Sequence, residues 1–162
     1  MPTGFDTHNH ATCIEHALDV AVRYCADHKL NLTKPRKRVL EILLSEHKAM
    51  GAYDILAILN DEGMGSQPPL VYRALEFLVQ HDFAHKLEKQ NAYIACSYPA
   101  QDHLPIFMIC KKCDAVQEAQ TTGDATLLVT AAQDCGFAIE TTVVEAEGLC
   151  RSCQSAGANP CD

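Results

Sequence analysis

Two cysteine pairs constrain this chain more than any other feature. They are "CKKC" at Cys110–Cys113 and "CRSC" at Cys150–Cys153, with 36 residues between them. Two residues between thiolates let both sulfurs reach one ion from a tight knuckle, and a second knuckle completes a closed tetrahedron. The chain between the knuckles must then return to its own start, so this region folds as a small unit clipped at its ends. A structural zinc, a dithiol redox couple and a disulfide frame all use such a pattern. Nine cysteines is an odd count, which weakens the disulfide frame. No thioredoxin-like strand–helix–strand pattern surrounds "CKKC", which counts against the redox couple. The expected use of Cys110, Cys113, Cys150 and Cys153 is a structural zinc site.

That expectation depends on the compartment. No run of about 18 apolar residues exists to span a membrane. The start, "MPTGFDTHNHATC", has neither the basic residues nor the apolar stretch of a secretory signal. A cytoplasmic protein with reduced thiols is expected. At 162 residues the chain has room for one ordinary domain or two small ones.

Hydrophobic periodicity divides it into two. Ile14, Ala17, Leu18, Ala21, Val22 and Cys25 recur at helical spacing and predict an amphipathic helix over Cys13–Lys29. Thr33 is expected to cap a second helix, with Pro35 in its first turn and Val39, Leu40, Ile42, Leu43 and Leu44 inward. A third helix fits Ala52–Glu62, ended by Gly63 and Gly65. A fourth runs from about Pro69 to His81, with Val71, Ala74, Leu75 and Leu78 inward. Alternation in "AHKLE" and "AYIAC" around "KQN" predicts a hairpin. Helices followed by a hairpin make a winged helix-turn-helix, whose fourth helix would enter a DNA major groove. The expected organisation is a winged-helix domain over residues 1–96 (with 1–11 a loose tail), a linker over 97–104 and a second domain over 105–162. In the second domain "PIFMIC" and "AVQEAQ" read as strands, "GDATLLVTAAQDC" as a short helix closed by Gly136, and "FAIETTVVEAEG" as a longer strand carrying Phe137, Ile139, Thr141 and Val143 on one face. The fold class is therefore α+β. So small a second unit needs a metal, a partner subunit or both.

The net charge of −8 argues on its face against a nucleic-acid partner, but the charge is unevenly spread. Residues 1–95 hold 10 Lys and Arg against 12 acids, and residues 96–162 hold 3 against 9. Within "HKLNLTKPRKRVL" lie five Lys or Arg and no acid. Charges beyond about 8–10 Å are screened, so such a patch binds phosphate whatever the total. A solvated basic helix end reads the same way.

A second set of potential ligands surrounds the linker: His85 and Cys96 on the two strands of the hairpin, His103 in the linker, Glu118 on a strand of the second domain. Each has an ordinary alternative: a surface histidine, a buried small hydrophobe, a loop residue, a solvated strand end. A mixed nitrogen, sulfur and oxygen set suits zinc. The N-terminal His8, His10, Cys13 and His16 read as a solvated tail, and Cys25, Cys135 and Cys161 as packing or spare thiols.

"LTKPRKRVLEIL", "AYDILAIL", "PPLVYRALEFLVQHDFAHKLE", "YIAC" and "GLCRSC" together resemble the ferric-uptake-regulator family, and specifically its zinc-uptake branch, over roughly residues 13–153. The resemblance implies a winged-helix DNA-binding domain, a dimerisation domain and a regulatory zinc site on His85, Cys96, His103 and Glu118. Iron-sensing members carry an "HHDH"-like run before the first cysteine pair, where this chain has only "QDH". The implied function is a zinc-responsive repressor of zinc-uptake genes, not an enzyme. It would bind two zinc ions per chain and read a near-palindromic operator as a homodimer. Arg73 is the expected base contact. Tyr53 and Tyr72 match family positions near DNA, and Arg36 and Lys37 are expected at phosphates. Leu70 departs from the family, which often has Thr or Ser there. A sensor of iron, manganese or peroxide is the alternative within the family; an electron carrier with iron on the four knuckle cysteines is the alternative outside it. Zinc hydrolase or deaminase chemistry finds no support, because four cysteines leave no open position for water and the deaminase signature is absent.

Overall fold

The computed structural model describes residues 10–46, 48–99, 101, 103–119, 126–140 and 142–155. They form two compact units that divide after Gln101. Among the described residues no helix is long and apolar enough to cross a membrane.

The first unit holds four helices: α1 (His10–Asp27), α2 (Lys34–Ser45), α3 (Ala52–Asp61) and α4 (Pro68–Gln80). A hairpin of β1 (Ala84–Leu87) and β2 (Ala92–Ala95) follows, antiparallel, with Ala84 opposite Ala95 and Leu87 opposite Ala92. Met50 joins it through a single bridge to Tyr93, with both backbone bonds at 2.8 Å. This is a winged helix-turn-helix. Its core is one cluster in which Val39, Leu40, Ile42 and Leu43 of α2 meet Ile55 and Leu59 of α3 and Val71, Ala74, Leu75 and Leu78 of α4. Two inward residues of the sequence reading lie elsewhere: Leu44 is only partly buried at the rim of the core, and Val22 of α1 is exposed.

The helix ends follow from backbone chemistry. At α3 the amide of Met64 bonds the carbonyl of Leu59 and that of Gly63 bonds Asn60, with Gly63 at φ 71°. That is a Schellman ending, in which a left-handed residue turns the chain and satisfies orphan carbonyls. α1 ends the same way with Lys29 (φ 55°) in the glycine position and α4 with Asp82 (φ 55°). α1 therefore stops at Asp27, two residues short of the predicted Lys29, because Lys29 is itself the turn. At its start, α2 has Thr33 in the N-cap position without a side-chain cap bond. Pro35 lies in its first turn, where a missing N–H costs nothing.

The second unit is a three-stranded sheet of β3 (Ile106–Cys110), β4 (Val116–Ala119) and β5 (Val144–Gly148), in the order β4-β3-β5. β3 runs antiparallel to β4 and parallel to β5, and α5 (Thr126–Asp134) lies between β4 and β5 in the chain. A short α6 (Arg151–Ser155) follows. The predicted long strand from Phe137 is corrected to β5 alone. β3 offers only five residues to pair with, from Ile106 opposite Val144 to Cys110 opposite Gly148. Pro105, which precedes it, has no N–H to continue the ladder and accepts only the amide of Val144 at 3.0 Å. Thr141 lies outside the described residues, and Phe137 is 66% exposed. Met108, Leu128, Val129, Val143 and Leu149 are also exposed.

Candidate metal centre and nucleic-acid interface

The parallel pairing of β3 with β5 assembles the four cysteines. Cys110 ends β3 opposite Gly148, which ends β5, and Cys150 follows two residues later. Both knuckles thus leave the same end of the sheet, held by the amide of Lys111 on the carbonyl of Gly148 at 2.9 Å. The first knuckle closes with the amide of Asp114 on the carbonyl of Cys110 (2.9 Å), Asp114 taking φ 58°. The ligand atoms of Cys110, Cys113, Cys150 and Cys153 all lie within 4.8 Å of one another. Cys113 Sγ and Cys150 Sγ are 3.8 Å apart. A tetrahedron with zinc–sulfur bonds of about 2.3 Å has edges of about 3.8 Å, so the donor set fits the ion in size as well as in chemistry.

Electrostatics point the same way. Backbone N–H groups of Cys150, Lys112 and Cys113 hold the Cys110 thiol down to about 6, which favours its thiolate. The Cys150 amide lies 3.4 Å from that sulfur. Cys153 is pushed up to about 12, first by its contact with the Cys150 side chain and then by burial. One thiolate forms readily while Cys113 and Cys153 hold their protons more tightly than a free thiol. Four thiolates this close need a cation between them.

The second predicted set falls as two pairs, one in each unit. In the first unit His85 on β1 and Cys96, just beyond β2, are buried, with ligand atoms within 4.8 Å of each other. The hairpin register puts His85 opposite Ile94, and the Cys96 amide bonds the carbonyl of Phe83 at 3.0 Å. In the second unit Glu118 on β4 is buried opposite Phe107, and His103 Nε2 donates to Glu118 Oε1 at 2.8 Å. Nitrogen and oxygen ligands at about 2.0–2.2 Å in a tetrahedron sit about 3.4 Å apart, so this pair accepts an ion by opening by roughly half an ångström. The side chains of His8, His10 and Cys13, and Cys161, lie outside the described residues; His16 is exposed on α1.

The DNA-facing candidates lie on three helices of the first unit. Tyr53, second residue of α3, is 70% exposed. Tyr72 and Arg73 are exposed on the first turns of α4, and Lys37 on α2. Arg36 is engaged differently: its guanidinium stacks 3.9 Å above the Phe77 ring centroid and donates to the carbonyl of Asn31. Leu70 is partly buried against the core. Sequence reasoning missed the Phe77 platform and the amides that hold Cys110. A ring on one helix under a cation from another gives no local signal, and backbone donors give none at all.

A family model described as Ferric uptake regulator family matches residues 27–146. The zinc uptake regulation protein of Escherichia coli (strain K12) is 36% identical over 143 residues, which is 88% of this chain and 84% of that protein. Among solved structures, a zinc uptake regulator complexed with zinc and DNA has a TM-score of 0.84 at 36% identity, covering 88% of this chain and 96% of that one. Holo XcZur has a TM-score of 0.78 at 33% identity, covering 85% and 96%. A family model spanning most of the chain, a curated relative of this identity and the four-thiol cluster agree: the chain belongs to the ferric uptake regulator family, in its zinc-uptake branch.

Proposed function

We propose that this protein is a zinc-responsive, DNA-binding repressor of zinc-uptake genes, working in the cytoplasm as a homodimer. The observation that carries the reading is Cys96 beside His85 at the root of the hairpin. A thiolate in a second donor set, apart from the four-cysteine cluster, shifts preference towards zinc and away from harder-ligand iron sites. The relative solved with zinc and DNA supports both ligands.

In this reading Cys110, Cys113, Cys150 and Cys153 hold a structural zinc, and His85, Cys96, His103 and Glu118 hold a regulatory one, two per chain. A bound ion supplies a divalent centre that neutralises thiolate and carboxylate charge. The protein's part is geometric. His85 and Cys96 belong to one unit, His103 and Glu118 to the other, so sharing an ion selects one arrangement of the two. That arrangement presents the α4 helices of a dimer to successive major-groove faces of a near-palindromic operator. The selection works only through tighter binding to the competent state. Moving a population from 1:99 to 99:1 takes about a 10⁴-fold difference in affinity. Exposed Met108, Leu128, Val129 and Phe137 supply apolar surface for dimerisation in the second unit. Arg73 reads a base, Tyr53 and Tyr72 lie near the duplex, and Lys37 and the rim of Arg36 meet phosphates. The role is regulatory and involves no catalysis.

Titrating binding to a zinc-transporter promoter duplex against buffered free zinc tests this. Affinity should rise with free zinc over a range in which one zinc per chain is already bound. Binding that ignores zinc, or answers to iron(II) or manganese(II) instead, refutes it.

A further inference from the structure

α4 carries two charged residues, Arg73 and Glu76. The helix buries Val71, Ala74, Leu75, Phe77 and Leu78 and leaves Pro69, Tyr72, Arg73, Glu76 and Gln80 exposed. At about 100° per residue, Glu76 projects about 40° from Tyr72 and about 60° from Arg73, between the two. It therefore stands at the centre of the exposed face, the position deepest in a groove that this face enters. Among the described residues neither Arg73 nor Glu76 pairs with another side chain.

A carboxylate there is unfavourable unless something answers it. B-DNA carries one negative charge per about 1.7 Å of axis, and α4 is electrically neutral. A base donor on the groove floor supplies that compensation directly. Guanine shows two acceptors there and thymine an acceptor and a methyl group. Adenine shows a donor beside an acceptor, which suits an amide. Cytosine alone shows a donor, its N4 amine, with no acceptor beside it. Three residues advance α4 by about 4.5 Å, against about 3.4 Å per base step. A contact from Glu76 thus falls one or two base pairs from that of Arg73.

We propose that Glu76 is a specificity-determining residue that accepts a hydrogen bond from a cytosine N4 amine one or two base pairs from the base read by Arg73. The inference rests on the proposed DNA-reading role of α4. The test selects zinc-loaded full-length protein against duplexes carrying 20 randomised base pairs, using wild type, Glu76→Ala, Glu76→Gln and Arg73→Ala. Wild type should enrich cytosine at one position per half-site by about tenfold or more, the scale of a good base contact. Glu76→Ala should erase the preference at that position alone. Glu76→Gln should replace cytosine with adenine there, since an amide pairs with adenine N6 and N7. Arg73→Ala should relax a different position, one or two base pairs away. A Glu76→Ala motif unchanged at every position, with affinity raised equally for all duplexes, overturns the inference and makes the carboxylate a mere repellent. Wild-type protein that enriches no motif overturns the DNA-reading role itself, and the inference with it. Because Glu76 is exposed, far-ultraviolet circular dichroism should match wild type in both variants.

Discussion

Arg36→Ala should weaken the protein before any DNA is added. The guanidinium lies 3.9 Å above the centroid of Phe77, a ring on α4 that is only 7% exposed. A half-buried cation over such a face is worth about 0.5–2 kcal/mol. The bond to the Asn31 carbonyl lies at the surface, so it adds at most about 1 kcal/mol. Truncation should therefore cost about 1–2 kcal/mol, lowering a urea midpoint by roughly 0.5–1 M. Lys37, the next residue and exposed, should change stability by less than about 0.5 kcal/mol when replaced by Ala. Both substitutions should reduce the salt dependence of DNA binding, by a slope of about 1 for Lys37. Arg36→Lys separates the two roles: it keeps the charge for a phosphate but loses the flat, weakly hydrated group that stacks. Urea unfolding of the four proteins without DNA is the assay. A wild-type midpoint for Arg36→Ala, or an equal loss for Lys37→Ala, would refute the reasoning.

Zinc uptake by the four-cysteine site should release about one proton more per zinc below pH 6 than at pH 7.5, since Cys110 is already a thiolate above about 6, measured by calorimetry in buffers of different ionisation enthalpy. Cys96→Ser or His103→Ala should leave a folded dimer with one zinc per chain whose DNA affinity no longer follows free zinc, with the larger effect at Cys96; metal analysis paired with gel shifts decides. Lys29→Gly should stabilise the first unit by about 0.5–1 kcal/mol in thermal unfolding, because a left-handed non-glycine costs about 1–2 kcal/mol and glycine returns part of that as chain entropy.

What the sequence made legible follows the physics of each signal. Periodicity found the buried faces of α2 and α4, because a core imposes a 3.6-residue repeat. Gly63 and Gly136 announced helix ends because only glycine turns left-handed at no cost. Lys29 and Asp82 make the same turn, and nothing in their identity says so; packing of Leu30 and Phe83 beyond the turn decides it. The four cysteines were legible from spacing, whereas the extent of β5 was not. Alternation from Phe137 onwards satisfies a strand pattern, but the strand ends where its neighbour does, at a proline in another part of the chain. His103 and Glu118 were named as members of one ligand set, but their 2.8 Å contact depends on a strand register that spacing cannot supply.

The parallel register of β3 and β5 also sets a timetable. Ile109 and Glu147 are neighbours in the sheet and 38 positions apart in the chain. Closing a loop of that length costs about 3 kcal/mol of chain entropy before any contact in it is made. β3 and β4 meet through a short turn and can form at once, but β5 must cross that barrier unaided unless a cation already waits on the first knuckle. Refolding of the second unit should then slow sharply when a chelator is present from the start and recover when zinc precedes dilution from urea. A newly synthesised chain, with Cys110 and Cys113 emerging well before Cys150, would meet its ion on the same schedule.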